Sequence, residues 1–108
     1  MTRFCNILML LGVLLVLPAI AQVSPEETQA FDLATKASQD ELWTRAEQEW
    51  KDFTIKYPSS SRLAEAVLFQ ARALVELGNY PGAIQLLQEN LAQAGDYTAE
   101  YLFLIGFA

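Results

Sequence analysis

Histidine is absent from this sequence, and cysteine occurs once, as Cys5. Without histidine the chain lacks the side chain that titrates nearest neutrality, the usual general base and the commonest nitrogen ligand for metals. A lone cysteine forms no internal disulfide and no cysteine-based zinc site. Basic residues are also scarce, 7 against 13 acidic, for a net charge of −6. That balance is the opposite of what nucleic acid or an anionic membrane surface attracts. Glycines number 5 and prolines 4, and no glycines stand at the spacing of a phosphate-binding loop. No stretch alternates apolar and polar residues between turn signals, so no strand is expected.

The first residues carry a different message. Arg3 gives a positive start, Ile7 to Leu17 is an unbroken run of apolar residues and glycine, and Pro18 precedes Ala19-Ile20-Ala21. Charged, then apolar, then small-x-small is the order of a secretory signal peptide, expected over 1–21. The apolar run is shorter than the roughly 20 residues that span a bilayer. A lipid anchor would need a cysteine directly after the small residues, and Cys5 is too early. Cleavage would leave 87 of the 108 residues, 22–108, without Cys5 and Arg3 and with a net charge of −7. The expected product is periplasmic or secreted, thiol-free, held together by packing alone, and not stably inserted in a membrane.

Helix signals fill the remainder. Ser24-Pro25-Glu26-Glu27 reads as a cap, a first-turn proline and a capping-box carboxylate. Ala30, Leu33, Ala34 and Ala37 mark the face of the helix that follows, which fades at Ser38 to Asp40. A second helix is expected from Glu41 to Lys56, with Trp43, Ala46, Trp50 and Phe53 inside and Tyr57-Pro58 as its stop. Ser59-Ser60-Ser61 offers a cap for a third helix, Arg62 to Leu77, burying Leu63, Ala66, Val67, Ala71 and Leu74 and ending at Gly78. A fourth begins at Pro81, carries Ala83, Ile84, Leu87 and Leu91, and ends near Ala94-Gly95. Asp96 then caps a fifth from Tyr97. The expected class is all-α, built of antiparallel helix hairpins with short connections.

The hairpins repeat. An offset of 37 residues aligns Ala34 with Ala71, Ala46 with Ala83 and Trp50 with Leu87, and a further 35 takes Ala71 to Gly106. A helical pair recurring at this period is the signature of a solenoid, in which each pair leaves an apolar face for its neighbour to cover. These large and small positions, with Pro58 closing the first unit and Gly78-Asn79-Tyr80 at the turn of the second, resemble the tetratricopeptide repeat. About two and a half repeats are expected, with Leu102, Ile105 and Gly106 opening the third. Gln70, Gly95 and three extra residues around Ser59 to Arg62 depart from the pattern. The spelling Phe53…Tyr57-Pro58-Ser59 resembles the repeats of bacterial cell-envelope proteins that accompany outer-membrane assembly or the Tol-Pal machinery.

The resemblance implies a groove lined by the first helix of each unit. Here the matching positions are Thr28, Phe31 and Thr35, then Glu65, Leu68, Arg72 and Val75, then Glu100 and Phe103. Such a groove takes a protein or peptide partner, and Arg72 is placed to meet a partner carboxylate or to pair with Glu65 or Glu76. No catalytic residue, cofactor or metal is expected. The carboxylate pairs Glu26/Glu27, Asp40/Glu41 and Glu47/Glu49 lie on polar helix starts or faces, and Ser59 to Ser61 lack a basic partner. Three readings follow: an exported scaffold, a docking module of a longer enzyme, or a chain that self-associates through its uncovered last helix. That last helix, apolar and stopping at Ala108, leads to the expectation that the repeat domain is truncated.

Overall fold

The computed structural model describes residues 23–108; the expected signal peptide lies outside the described residues. Five α-helices follow one another, α1 Pro25–Gln39, α2 Trp43–Lys56, α3 Leu63–Glu76, α4 Tyr80–Asn90 and α5 Thr98–Phe107. Each packs on the next, so the chain is an all-α, repeat-like stack of helices. Among the described residues no strand occurs, and no helix is long and apolar enough to cross a membrane.

Local chemistry sets the boundaries. Ser24 accepts a hydrogen bond from the Glu27 amide at 3.1 Å, and Pro25 occupies the first turn of α1. Glu27 does not close a capping box; its carboxylate accepts from the Ser60 hydroxyl at 3.1 Å and so joins α1 to the loop before α3. Helix α3 starts without a side-chain cap, Ser60 instead accepting from the Arg62 amide within the loop. Asn79 caps α4 through the Gly82 amide at 3.0 Å. The end of α4 comes earlier than its sequence suggests. Asn90 turns its side-chain amide onto the Leu86 carbonyl at 2.8 Å, and two single 3-10 turns, Leu91–Gln93 and Gly95–Tyr97, follow. Gly95 has the expected positive φ, but Asp96 caps nothing, since α5 begins at Thr98 without a side-chain cap.

Helices α1 and α3 end in the same way. At α3, the Gly78 amide bonds to the Val75 carbonyl and the Asn79 amide to the Leu74 carbonyl, with Gly78 at φ +80. At α1, 37 residues earlier, the Glu41 amide bonds to Ser38 and the Leu42 amide to Ala37, with Glu41 at φ +58. Both are Schellman closures, which require a left-handed residue directly after the helix.

Two core clusters fill the repeat frame. The first gathers Phe31, Ala34, Ala37, Ala46, Trp50, Phe53, Ala66 and Ala73; the second gathers Val67, Leu68, Ala71, Ala83, Leu87, Ala94, Tyr101 and Leu104. The small pairs Ala34/Ala46 and Ala71/Ala83 are wholly buried, as the offset of 37 requires, and so are Trp50 and Leu87. Leu33 is a correction. It was expected to pack, but it is half exposed, because no described helix precedes α1 to cover it. The matching residue of the next unit, Gln70, is buried against α2 and donates to Glu47 at 3.3 Å.

Candidate functional site

Tethers hold the beginnings of α1, α3 and α5 together. Tyr101 donates to the Ala64 carbonyl at 2.6 Å, and Tyr97 to Glu65 at 2.9 Å, which join α5 to α3. Arg62 binds the other oxygen of Glu65 and lays its guanidinium 3.3 Å from the centre of the Phe31 ring. Two phenol pKa values are raised here. Burial pushes Tyr101 up to about 12. Tyr97 is raised first by its hydrogen bond to Glu65, then by burial and by the carboxylate charge, against an opposing pull from Arg62.

At the opposite ends of the same helices lies a cleft of about 510 Å³. Its walls are Ser38 and Gln39 of α1, Trp43 of α2, Phe69, Arg72, Val75 and Glu76 of α3, and Phe103, Leu104 and Phe107 of α5. Phe69 forms a firm base, stacked on the buried Trp50 with ring centres 5.1 Å apart. Trp50 is itself fixed by donating its indole N–H to the Ser38 hydroxyl at 2.9 Å. Arg72 is exposed, lies 5.7 Å from the Phe69 ring centre, and also borders an adjoining hollow shared with Glu100 and Phe103. Among the described residues the ion pairs are Lys36–Asp40, Arg45–Glu49 and Arg62–Glu65, so Arg72 pairs with neither Glu65 nor Glu76.

Three of the expected groove residues meet in this cleft: Arg72, Val75 and Phe103. Phe31 and Leu68 do not, which corrects their placement on an open face. They are 4% and 3% exposed, Phe31 within the first core cluster and under the Arg62 guanidinium, Leu68 within the second cluster, which α4 and α5 share. Phe31 packs edge-on against Trp50 and Phe53, with ring centres 4.8 and 5.5 Å away. Glu65 is taken up by Arg62 and Tyr97. Thr35 is half buried and donates to the Phe31 carbonyl within its own helix. Thr28 lines a shallow surface hollow beside Pro25, away from the cleft.

Trp43, Phe69 and Phe107 were not foreseen as lining. The repeat offset held a usable signal for part of this. Phe107 is 35 residues after Arg72, an expected groove position, so the two share a register. Trp43 was assigned to the core, and its half-buried indole does serve both core and rim.

Chemically, the cleft offers aromatic and aliphatic walls, one unpaired cation, and hydroxyl, amide and carboxylate groups along the α1 and α3 ends. It is suited to holding apolar side chains beside an acceptor for Arg72. Among the described residues no three potential ligands gather to hold a metal ion. Comparison with protein-family models, with curated proteins and with solved structures finds no match to the chain.

Proposed function

We propose that the chain is an exported scaffold of the tetratricopeptide kind, which binds a peptide segment of another cell-envelope protein along the face formed by α1, α3 and α5. The supporting observation is the cleft itself: Trp43, Phe69, Val75, Phe103 and Phe107 surround Arg72, which has no acidic partner among the described residues. A bound segment places apolar side chains against the aromatic walls and a carboxylate, from a side chain or a chain end, on the Arg72 guanidinium. Apolar burial supplies most of the affinity, at roughly 25 cal/mol per Å² removed from water. The charge-assisted hydrogen bonds of Arg72 fix orientation.

Selection of displayed peptides on residues 22–108 tests this reading, with affinity followed by the fluorescence change of Trp43. Enriched peptides are expected to combine large apolar residues with a nearby carboxylate. Arg72→Glu and Phe107→Ser are each expected to weaken them about tenfold, or roughly 1.4 kcal/mol. Binding unchanged by both substitutions rules the cleft out. Intact-mass analysis checks the export component, with a chain starting at Gln22 as the expected result.

A further inference from the structure

Arg72 and Glu76 stand four residues apart on α3, and both line the cleft. Opposite charges at that spacing ordinarily meet across one helical turn. Here they do not: among the described residues no ion pair includes either side chain. Chain order is one reason. A helical pair is better with the carboxylate on the N-terminal side of its cation, and α3 has the reverse order, Arg72 before Glu76. Phe69 is the other. It lies three residues before Arg72 and has the guanidinium 5.7 Å from its ring centre, within cation–π range, so Arg72 is drawn to the ring instead of to Glu76. Both charged groups are exposed. Their openness does not depend on the last helix: both belong to α3, which packs against α2, α4 and α5, all of them described.

We infer that the cleft recognises a pair of opposite charges, a carboxylate for Arg72 and, about 6 Å further along, an ammonium or guanidinium for Glu76. This rests on the peptide-binding reading and adds a second charged subsite to it. The occupant is a segment of another protein that carries an acidic and a basic side chain on one side, beside its large apolar residues. In an extended segment those side chains are two residues apart, at about 3.3 Å per residue; in a helical one they are four apart, at about 1.5 Å. Charge favours such a ligand over a purely acidic one. The chain carries −6 overall, so an acidic segment is repelled as it approaches, while a balanced pair is not. The aromatic walls exclude part of the water around both contacts and so strengthen them.

The probe is a set of end-capped peptides of about a dozen residues on one framework containing Phe and Leu. Two positions carry Asp and Lys, Asp and Gln, Asn and Lys, or Asn and Gln, at extended and at helical spacing. Binding to residues 22–108 is followed by tryptophan fluorescence. The Asp/Lys peptide is expected to bind about three- to fivefold more tightly than the Asp/Gln peptide, and the spacing that shows the advantage identifies the form of the bound segment. Glu76→Gln should remove the advantage and leave Asp/Gln affinity unchanged, while Glu76→Lys should turn the advantage into a penalty. Because Glu76 is exposed, both variants should keep the helicity of the parent chain. Equal affinity for Asp/Lys and Asp/Gln at both spacings, or an advantage that survives Glu76→Gln, overturns the charge-pair inference and leaves the peptide-binding reading in place. If no peptide binds, the inference falls together with that reading.

Discussion

The first hairpin, α1–α2, and the second, α3–α4, place alanine at the same two helix crossings and fill the space around them with different materials. The first is aromatic, with Phe31, Trp50 and Phe53 locked edge-on, and it borrows Phe69 from α3, stacked on Trp50. The second is aliphatic, with Val67, Leu68 and Leu87, and borrows Tyr101 and Leu104 from α5. Their turns differ as sharply. Where the second has Gly78-Asn79-Tyr80, the first has Glu41-Leu42-Trp43 in nearly the same backbone conformation, Leu42 at φ −85, ψ 73 and Asn79 at φ −90, ψ 69. Glu41 thus holds a left-handed angle suited to glycine, and Leu42 caps nothing. One oxygen of Glu49, at the position of Leu86 in the second unit, is buried without a hydrogen-bond partner. The first hairpin tolerates poor local choices because its aromatic core is strong, whereas the second combines good turn chemistry with a lighter core.

Substitutions at matched positions test that contrast. The largest effect is expected at Trp50: replacement by alanine removes a fully buried ring and the Ser38 hydrogen bond, for a loss of about 4–5 kcal/mol in urea unfolding. Leu87→Ala, at the matching position, should cost less, about 3 kcal/mol. If the order were reversed, the aromatic cluster would not be the stronger support.

Alkaline pH should act chiefly where α5 closes the second core. The Tyr101 phenol stands at about 12 when folded, against 10.0 ordinarily, so the folded chain favours the protonated form. Its contribution is complete below pH 10 and is lost as pH rises through about 12. Thermal melts are expected to fall by at least about 4 °C over that interval, and Tyr101→Phe should flatten the decline.

Smaller effects lie in the turns and have opposite signs in the two hairpins. Gly78→Ala forces a Cβ into the left-handed region and should cost about 1–2 kcal/mol, while Glu41→Gly should gain up to about 1 kcal/mol. Asn79→Ala should lose about 1 kcal/mol of capping, and Leu42→Asn should recover somewhat less. Equal responses in the two turns would show that their similar backbone angles conceal no difference in strain.

Much of this architecture was readable in advance because it depends on short-range chemistry. Ser24-Pro25, Tyr57-Pro58 and Gly78 place helix boundaries through their own dihedral and hydrogen-bonding preferences. The alignment of Ala34 with Ala71 and of Ala46 with Ala83 locates the crossings. What resisted was rotation of each helix about its axis, which only the neighbours decide. Phe31 and Leu68 share a wheel position with Phe103, yet two are buried and one is open, because α1 and α3 are followed by covering helices and α5 by no described one. The end of α4 was missed for a similar reason: apolar spacing continues to Leu91, but the Asn90 side chain competes for the last turn. Of the cleft, Arg72, Val75 and Phe103 were legible from the repeat, whereas Trp43 and Phe69 serve core and surface together, which periodicity alone cannot separate.

The distribution of tethers among the first helices has a mechanical consequence. Ser60–Glu27, Tyr97–Glu65 and Tyr101–Ala64 all join α1, α3 and α5 at their beginnings, while among the described residues no hydrogen bond links their far ends, where the cleft lies. A row of rods stitched along one margin opens like a fan: spreading the free margin disturbs van der Waals contact and leaves the stitches intact. The width of the cleft is therefore its softest dimension, set by van der Waals contacts such as those of Ala37 and Ala73 in the first core cluster, and ligands of different girth can be admitted by a small splay about the seam.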